Sequence, residues 1–435
     1  MQLAAILLVG ILLGGGGVNA AFSNLVVQLA AILCIALNGR VFGGFAREAP
    51  RYLVALLALT LLLPLLQMLS LPPAIWRALP GRDLISESLS LIGKPDAWFP
   101  MTVDLRRTAI AFAAMLPPLL IIVMGYRLSH RERQLLLGAI ALAGVFCVLL
   151  GLPQLASNNH LFVFYAETYG LHNLHGLFAN RNTTALFLDI ALVALVFAVP
   201  AGRMKAGAML AIAICGLLLV VGIVLTGSRS GIGIALVPVV CALARIYIAY
   251  RGLIRRKHVV MTVLAGVVAL VGAASVVSQS GRLQRSFDRF ESLEDARPAI
   301  WSDTRNVIDR YWPVGSGIGT FDEVFQVDES LETLSFGRAR RAHNDLLEIS
   351  VESGIFGLLL LVGWLVLVVW ETVRSWHARE GTSVAPIVVF AMLLMQSTVD
   401  YPLRNQAMLC VASAMLAMML SRSRSVHRRD SNETE

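Results

Sequence analysis

GAMLAIAICGLLLVVGIVLT, residues 207–226, is a run of twenty residues without a charged side chain. About 20 helical residues, each rising about 1.5 Å, cross the roughly 30 Å hydrocarbon core of a bilayer. In lipid, a helix satisfies all of its backbone hydrogen bonds within one segment. The run therefore predicts a transmembrane helix. The composition agrees, because 57% of the 435 residues are hydrophobic and only 15% are charged.

Similar runs recur along the chain, and we predict about twelve transmembrane helices. The other predicted spans are approximately residues 1–17, 20–37, 52–70, 108–125, 135–152, 183–200, 231–250, 259–277, 346–370, 385–402 and 404–420. The first run lacks a charged segment before it and an obvious cleavage site, so we interpret it as a helix and not as a removable signal peptide. The alternation typical of a transmembrane barrel is lacking. The expected fold is an all-α polytopic membrane protein.

The short connections between these runs carry the charge bias that sets the orientation. AGRMKA, before the quoted run, belongs to a basic set with NGRVFGGFAREAPR, YRLSHRERQ, RGLIRRKH, VRSWHAREGTS and the tail after residue 420. With Arg245, this set holds 19 of the 36 lysine and arginine residues. The positive-inside rule assigns it to the cytoplasm, so both termini are predicted to be cytoplasmic. The scattered charges form no continuous track, and we predict no nucleic-acid partner.

This topology divides the chain into four parts. They are residues 1–278, with helices 1–9 and outer loops 71–107 and 153–182; residues 279–345, a large outer loop with short helices; residues 346–420, with helices 10–12; and residues 421–435, a cytoplasmic tail. All nine basic residues of the large loop are arginine. Because this loop is the longest polar segment on the outer side, we expect the catalytic chemistry there.

The sequence shows no metal-binding pattern. All five cysteines fall inside predicted spans, and the chain has neither a CxxC pair nor a Cys/His cluster. The outer face also lacks a DxD motif. We therefore predict no metal site and no cofactor.

The turn TGSRSG, directly after the quoted run, places Arg229 between two apolar helices. A charged residue there is costly unless it is paired or lines a wet cavity. An arginine reaching to lipid headgroups is the simpler explanation of a lone charge. The flanking serines and glycines, however, allow close backbone approach, and we favour a buried anion site.

ARPAIWSDTRNVIDRYW, residues 296–312, has helical spacing. Arg297, Trp301, Arg305 and Ile308 fall on one stripe, and Pro298 suits a first helical turn. The planar fork of arginine suits phosphate better than lysine does. For most of these arginines, a solvated network with the neighbouring carboxylates remains the alternative.

His343 ends the large loop and begins a polar group. Asn344, Glu348 and Glu352 follow at intervals of four, so they share one helical face. Acidic residues in a first turn stabilise a helix N-terminus, which explains the carboxylates without catalysis. His343 is either a polar residue at a loop end or a general base whose tautomer is fixed by a neighbouring carboxylate or amide.

GSGIGTF, residues 315–321, superficially matches a dinucleotide fingerprint. It follows no strand of a βαβ unit, so we reject that interpretation. The glycines instead indicate a loop that turns tightly against the membrane helices or closes over a ligand.

In their order along the chain, TGSRSGIGIALV, RPAIWSDTRNVIDRYWPVGSGIGTF and AHNDLLEISVESGIFGLLLL resemble the O-antigen ligase and polymerase family of bacterial inner-membrane glycosyltransferases. Two further segments also resemble sequences of this family. They are the first outer loop, with LPPAIWRALPGR and AWFPMTVD, and the run GLFANRNTTALFL. The resemblance covers roughly residues 60–400.

The resemblance implies a GT-C-type helical enzyme in the bacterial inner membrane. Its donor is a glycan on undecaprenyl diphosphate, and its acceptor hydroxyl, at the periplasmic face, belongs to lipid A-core or another lipid-linked glycan. Membrane lipids are the remaining partners. By position, Arg229 and Arg297 bind the diphosphate and His343 accepts the proton of the hydroxyl. Neither a metal nor another cofactor is implied.

The residue chemistry agrees with these roles. Cleavage of a glycosyl diphosphate develops negative charge on the leaving group, which fixed cations can stabilise. A hydroxyl becomes a good nucleophile when a base takes its proton, and histidine has a suitable pKa. We expect a single displacement with inversion, because no second nucleophile is evident.

Two further arginines are weaker candidates for this site. Arg305 shares the stripe of Arg297 and could assist or replace it. Arg181 precedes the sixth predicted span and could reach the same face, although contact with lipid headgroups also explains it.

Six more residues complete the candidate set. Arg338 and Arg341, with Arg340 between them, approach His343 and could attract an anionic substrate. Asn344 and Glu348 follow it on the helix. Asp189, inside a predicted span, is explained equally by function or by a structural hydrogen bond.

Other functions remain open. Within the same chemistry, the chain could polymerise lipid-linked repeats or act on protein hydroxyls as an O-oligosaccharyltransferase. A lipid-linked sugar transporter is a different class, but it would show charged or broken helices near the midplane, commonly with internal repeats. Here the polar residues gather on one face, which favours an enzyme.

Overall fold

The computed structural model describes residues 2–17, 20–199, 206–250, 296–331, 339–377 and 384–432. Helices make up nearly all of the regular secondary structure in these ranges, which confirms the predicted all-α class. The predicted span at 259–277 and the candidate Arg338 lie outside the described residues.

Seventeen α-helices are present in the described ranges. In chain order they are α1 (Gln2–Leu13), α2 (Ala21–Leu37), α3 (Gly39–Glu48), α4 (Arg51–Gln67), α5 (Pro73–Trp76), α6 (Asp83–Leu91), α7 (Leu105–Gly125), α8 (His130–Ala156), α9 (Arg181–Ala198), α10 (Ala206–Leu225), α11 (Arg229–Ile234), α12 (Leu236–Tyr250), α13 (Ala296–Tyr311), α14 (Phe321–Asp328), α15 (Asp345–His377), α16 (Val384–Ser397) and α17 (Gln406–Asn432). Short 3₁₀ turns cover Ala166–Thr168 and Pro402–Arg404. Strands β1 (Ser70–Leu71) and β2 (Phe99–Pro100) pair antiparallel within the first outer loop.

Six helical segments of the described chain are long and apolar enough to cross a membrane. They are α7, α8, α9, α10, the pair α11–α12 and α15. The bent pair α2–α3, which turns through 77°, could supply a seventh, and α1, α4, α16 and residues 406–421 of α17 form shorter apolar helices. A polytopic helical membrane protein follows from this, whereas the total of twelve spans stays a prediction.

Helix α9 lies at the centre of the core. Every side chain from Thr183 to Ala194 is buried, mainly against α8 and α10. Small residues let these helices approach closely, since a Cβ on Gly144 of α8 would lie 2.3 Å from the Cβ of Ala191. Asp189 is fully buried here, and neither carboxylate oxygen has a hydrogen-bond partner among the described residues.

Helix α15 is broken at Gly354, whose φ of +52° lies in the left-handed region. A Cβ at this position would lie 2.0 Å from the carbonyl oxygen of Pro313, so glycine permits the close approach. The segment before the break carries the acidic face of the helix. The segment after it, from Ile355 to His377, is long enough to cross the bilayer alone.

The GSGIGTF segment turns tightly against the helix ends, as one of the two interpretations predicted. Gly315, Gly317 and Gly319 all have positive φ. The backbone N–H of Gly317 donates to the Glu352 carbonyl at 2.9 Å, and a Cβ on Gly317 would lie 1.9 Å from the Thr102 hydroxyl oxygen. The segment therefore joins the large loop to both the first outer loop and α15.

Candidate functional site

A cavity of about 1480 Å³ lies beside α2, α7, α9 and α13 and reaches the loop that ends in His343. Its wall combines His343 with arginine and carboxylate side chains. The arginines are Arg106, Arg107, Arg181, Arg297, Arg340, Arg341 and Arg404, and the carboxylates are Asp104, Glu167, Asp303, Asp322, Glu323 and Glu329. Of the candidates from the sequence, the cavity brings together His343, Arg181, Arg297, Arg340 and Arg341.

His343 forms a histidine–carboxylate pair with Asp400. Its Nδ1 lies 3.1 Å from Oδ1 of Asp400, and its ring packs edge-on against Tyr401 with centroids 5.1 Å apart. The histidine side chain is 33% exposed, whereas that of Asp400 is 2% exposed. Because the carboxylate accepts from Nδ1–H, Nε2 keeps its lone pair and can accept a proton.

The other oxygen of Asp400 is held by two amides. Nδ2 of Asn180 donates to Oδ2 at 3.3 Å, and Nε2 of Gln396 lies 3.5 Å from the same atom. The orientation of Asn180 is fixed, since its Oδ1 accepts from the backbone N–H of Asn182 at 2.8 Å. The carboxylate is therefore oriented by side chains from two other elements of the fold.

Glu348 ties Arg341 to the His343 loop. One carboxylate oxygen accepts from Nη1 of Arg341 at 3.0 Å, and the other accepts from the backbone N–H of Ala342 at 3.0 Å. The Arg341 guanidinium also lies over the Tyr401 ring, 5.8 Å from its centroid. Burial, the largest cause, acts to lower the pKa of Arg341, whereas the charges of Glu348 and Glu352 raise it. The net direction is upward, so Arg341 stays charged. Glu348 thus holds Arg341 and the backbone before His343 in place, although it does not line the cavity itself.

Arg404 lies at the centre of a buried charge cluster. Its Nη1 donates to Glu352, its Nε is 3.3 Å from Glu348, and Asp345 is 3.9 Å from the same nitrogen. Burial acts to lower the pKa of Arg404, whereas the three carboxylates raise it, and the net direction is upward. The cluster fixes the first turns of α15, which follow His343 directly.

Asn344 has a structural role at the start of α15. Its Oδ1 accepts from the backbone N–H of Leu346 at 2.9 Å, and its Nδ2 donates to the carbonyl of Thr398 at 3.1 Å. It therefore caps α15, as the acidic first turn also indicated. Asn344 and Glu348 do not line the cavity.

The predicted helix over residues 296–312 is confirmed as α13, and its first turn points Arg297 toward the cavity. Trp301, one turn later, donates from Nε1 to the Ala342 carbonyl at 2.8 Å and so joins α13 to the His343 loop. Arg305 is exposed and does not line the cavity. The common stripe therefore does not give the two arginines a common environment.

Arg229 begins α11 and is exposed, so the expectation of burial is not met at this residue. It does not line the cavity. Its turn nevertheless abuts the wall, because Ser228 donates to Oδ1 of Asn182 at 2.9 Å, and Asn182 is a wall residue beside Arg181. The role of Arg229 in binding diphosphate remains a prediction.

Sequence reasoning missed Asp400 and Arg404. Both lie in DYPLRN, residues 400–405, where two predicted spans meet: Asp400 falls near the end of the span 385–402, and Arg404 begins the span 404–420. In the predicted topology this break faces outward, where it should have been counted with the other outer loops. The outward position of these polar residues could therefore have been recognised from the sequence.

In the described part of the chain, no group of three or more His, Cys, Asp or Glu side chains could hold a metal ion. The prediction of metal-independent chemistry is left to experiment.

Residues 214–362 match the family model described as O-antigen ligase. This match supports assignment of the chain to the O-antigen ligase family. No curated protein matches the chain at a significant level. The O-antigen ligase match includes Arg229, Arg297, Arg341 and His343, whereas Asp400 lies beyond it. It supports glycan transfer of the O-antigen ligase or polymerase type in general.

Proposed function

We propose that the protein transfers a glycan from undecaprenyl diphosphate to an acceptor hydroxyl in the cavity beside His343. The observation that carries the proposal is the His343–Asp400 pair on a wall that also holds Arg181, Arg297 and Arg341. A base and several cations share one cavity, as the displacement of a glycosyl diphosphate requires.

In this reaction the acceptor oxygen bonds to the anomeric carbon as the bond from that carbon to the diphosphate oxygen breaks. Nε2 of His343 takes the hydroxyl proton, and the resulting imidazolium is stabilised by Asp400. Arginines stabilise the charge that develops on the departing diphosphate, and neither metal nor cofactor takes part. A single displacement inverts the anomeric centre.

The proposal places this cavity at the periplasmic face of the inner membrane, in a twelve-span GT-C-type fold with cytoplasmic termini. Arg229 would bind the diphosphate from the edge of the wall formed by Arg181 and Asn182. Lipid A-core is the favoured acceptor. A second lipid-linked repeat would instead make the enzyme a polymerase, and a protein hydroxyl would make it a protein O-oligosaccharyltransferase.

Reconstitution with a labelled oligosaccharide on polyprenyl diphosphate tests the proposal. Lipid A-core, a second lipid-linked repeat and an acceptor protein are supplied separately, and the labelled product is identified by mass spectrometry. Transfer to one acceptor separates ligase, polymerase and protein transferase. Movement of intact donor across the bilayer without bond cleavage would identify a transporter and contradict the proposal.

Variants at His343 test the assigned base. The backbone of His343 has φ of +50°, a region that asparagine accepts more readily than alanine. Asparagine should therefore disturb this backbone less than alanine does. We expect both His343→Asn and His343→Ala to bind donor and to lose transfer. Full transfer by the asparagine variant would remove the role of the imidazole.

The two arginines of the α13 stripe offer a matched pair. Inorganic diphosphate should compete less well with the donor in the Arg297→Gln variant than in the native protein. Arg305→Gln should leave this competition unchanged, because only Arg297 lines the cavity. Equal effects of the two substitutions would contradict the placement of the diphosphate beside Arg297.

A further inference from the structure

Helix α6, in the first outer loop, has three faces of different character. The face of Ile85 and Leu89 is half-buried. A second face is exposed and polar, and it is formed by Asp83, Glu87 and Ser90. The third face carries Leu84 and Leu91, which point the same way because they are about two helical turns apart. These leucines are 49% and 81% exposed. The helix therefore turns an apolar stripe away from the protein.

Two more apolar side chains of this loop, Ile92 and Trp98, are each 66% exposed. The chain around Trp98 is held by packing. Phe99 contacts the buried ring of Trp76, with centroids 5.5 Å apart, and Nε1 of Trp76 donates to the Ala97 carbonyl at 3.1 Å. Trp98 lies between these two contacts, so its outward position is fixed by its neighbours.

Backbone hydrogen bonds place Trp98 beside the end of α4. Strand β2, which follows Trp98 directly, pairs with β1, and the Thr102 N–H donates at 2.8 Å to the carbonyl of Gln67, the last residue of α4. Leu65 and Leu69, at the same end, are exposed. Helix α4 is short and apolar, and α7, at the other end of the loop, is long and apolar enough to cross a membrane. Exposed apolar side chains on such helices face lipid. Those of the loop therefore begin where the lipid-facing surface of α4 ends.

We propose that residues 84–98 dock in the interfacial layer of the bilayer and anchor the first outer loop to lipid. Their exposed apolar side chains enter the boundary between headgroups and acyl chains, a depth that suits amphipathic helices and, in particular, tryptophan. Lipid is the occupant because this surface continues that of α4. The inference does not depend on the proposed glycan transfer, since it concerns only the placement of a loop relative to the membrane.

The charges of this segment favour acyl chains over anionic headgroups as the binding partner. From residue 83 to residue 98, the chain carries Asp83, Glu87 and Asp96 against one basic residue, Lys94. A segment with net negative charge gains nothing from anionic lipid, so its attachment depends on apolar burial. We therefore expect it to dock equally well on zwitterionic lipid.

The anchor is coupled to the candidate site through Arg82, which directly precedes α6. Arg82 is buried, and its Nη2 donates to the Gly315 carbonyl at 3.1 Å. Gly315 begins the GSGIGTF segment, which lines the cavity at Ile318 and Gly319. Anchoring of α6 therefore fixes this part of the cavity wall relative to the membrane surface.

Collisions of a spin label with oxygen, which concentrates in lipid, and with a water-soluble nickel chelate test the anchor. The full chain, with its five cysteines replaced by alanine, is placed in phosphatidylcholine nanodiscs. The label is attached at Leu91→Cys or, as the matched control, at Ser90→Cys. Both side chains are exposed, but they point about 100° apart on α6.

We expect the label at 91 to collide mainly with oxygen and the label at 90 mainly with nickel, with no change when phosphatidylglycerol is added. Mainly nickel collisions at 91 in folded protein would overturn the proposal, as would equal ratios at the two positions. Shielding of the label at 91 from both reagents would also overturn it, because protein would then cover this face. Oxygen contact that needs phosphatidylglycerol would overturn the assignment to acyl chains.

Tryptophan fluorescence gives a second test in protein that keeps its native cysteines. Subtracting the emission of Trp98→Phe from that of the native protein isolates the emission of Trp98. We expect brominated phosphatidylcholine to quench this difference and aqueous iodide to leave it unchanged. Quenching by iodide and not by brominated lipid would overturn the proposal, even if the cysteine-free variants failed to fold.

Discussion

Replacing Asp400 by asparagine should reverse the tautomer of His343. In the native site, Oδ2 of Asp400 lies near two donors, the amide nitrogens of Asn180 and Gln396, and Oδ1 accepts from His343. The asparagine carbonyl must take the place of Oδ2, because an NH₂ group there would face those donors. Its NH₂ group then points at Nδ1 of His343. The ring must accept at Nδ1, so its proton moves to Nε2 and the base is lost.

The loss can be estimated from the value of general-base catalysis. Such a base contributes about 10²- to 10⁴-fold to a rate, which corresponds to about 3–5 kcal/mol of activation free energy. We therefore expect Asp400→Asn to lower kcat by about a thousandfold while KM for the donor changes little, since the side chain lies behind the ring. The assay measures transfer of labelled glycan in proteoliposomes, with thermal unfolding of each variant measured alongside.

Asp309→Asn is the matched control, because Asp309 is an exposed carboxylate outside the cavity. His343→Asn combined with Asp400→Asn should be about as slow as either single variant, since both remove one function. A folded Asp400→Asn protein that keeps more than about half of the native kcat would refute the reasoning, because a base worth even about a hundredfold would have been lost.

Three other predictions concern charge. Arg404→Gln leaves the buried carboxylates of Asp345 and Glu352 without their cation, while Glu348 keeps Arg341. It should lower the free energy of unfolding by about 3–5 kcal/mol, and an unchanged melting midpoint would contradict the role of the cluster. Burial, then the charge of Arg181, lowers the pKa of His175 from 6.5 to about 4. Between these values the unfolded chain binds more protons, so stability should fall by up to about 3 kcal/mol as the pH drops through this window. His175→Phe should flatten that dependence, and equal slopes for the two proteins would exclude His175 as its source. Transfer should also survive EDTA, because arginines supply the positive charge; loss of activity that Mg²⁺ restores would contradict this.

The sequence predicted elements whose signals are local. The spacing over residues 296–312 predicted α13, and the glycines of GSGIGTF predicted a tight turn, because periodicity and backbone freedom are properties of short segments. The acidic residues after Asn344 likewise indicated the start of α15. These predictions needed no knowledge of distant contacts.

The site itself depends on contacts between distant residues. Asp400 meets His343 across 57 positions of the chain, and no local pattern specifies that pair. The Arg297–Arg305 stripe shows a second reason why the site could not be predicted from the sequence. The two residues share a face but stand about 12 Å apart along the axis, so a cavity at the helix start reaches only the first. Periodicity gives the direction of a side chain, whereas the position of the cavity along the helix comes from packing.

The break at Gly354 also has a mechanical consequence. A span tilts when bilayer thickness changes, and a straight helix would carry that tilt to its end, next to His343. Here the helix is broken at Gly354, and the N–H of Ile355 donates to the Pro313 carbonyl at 3.0 Å. We expect this joint to take up the tilt, so that the spacing between base and cations changes little with bilayer thickness.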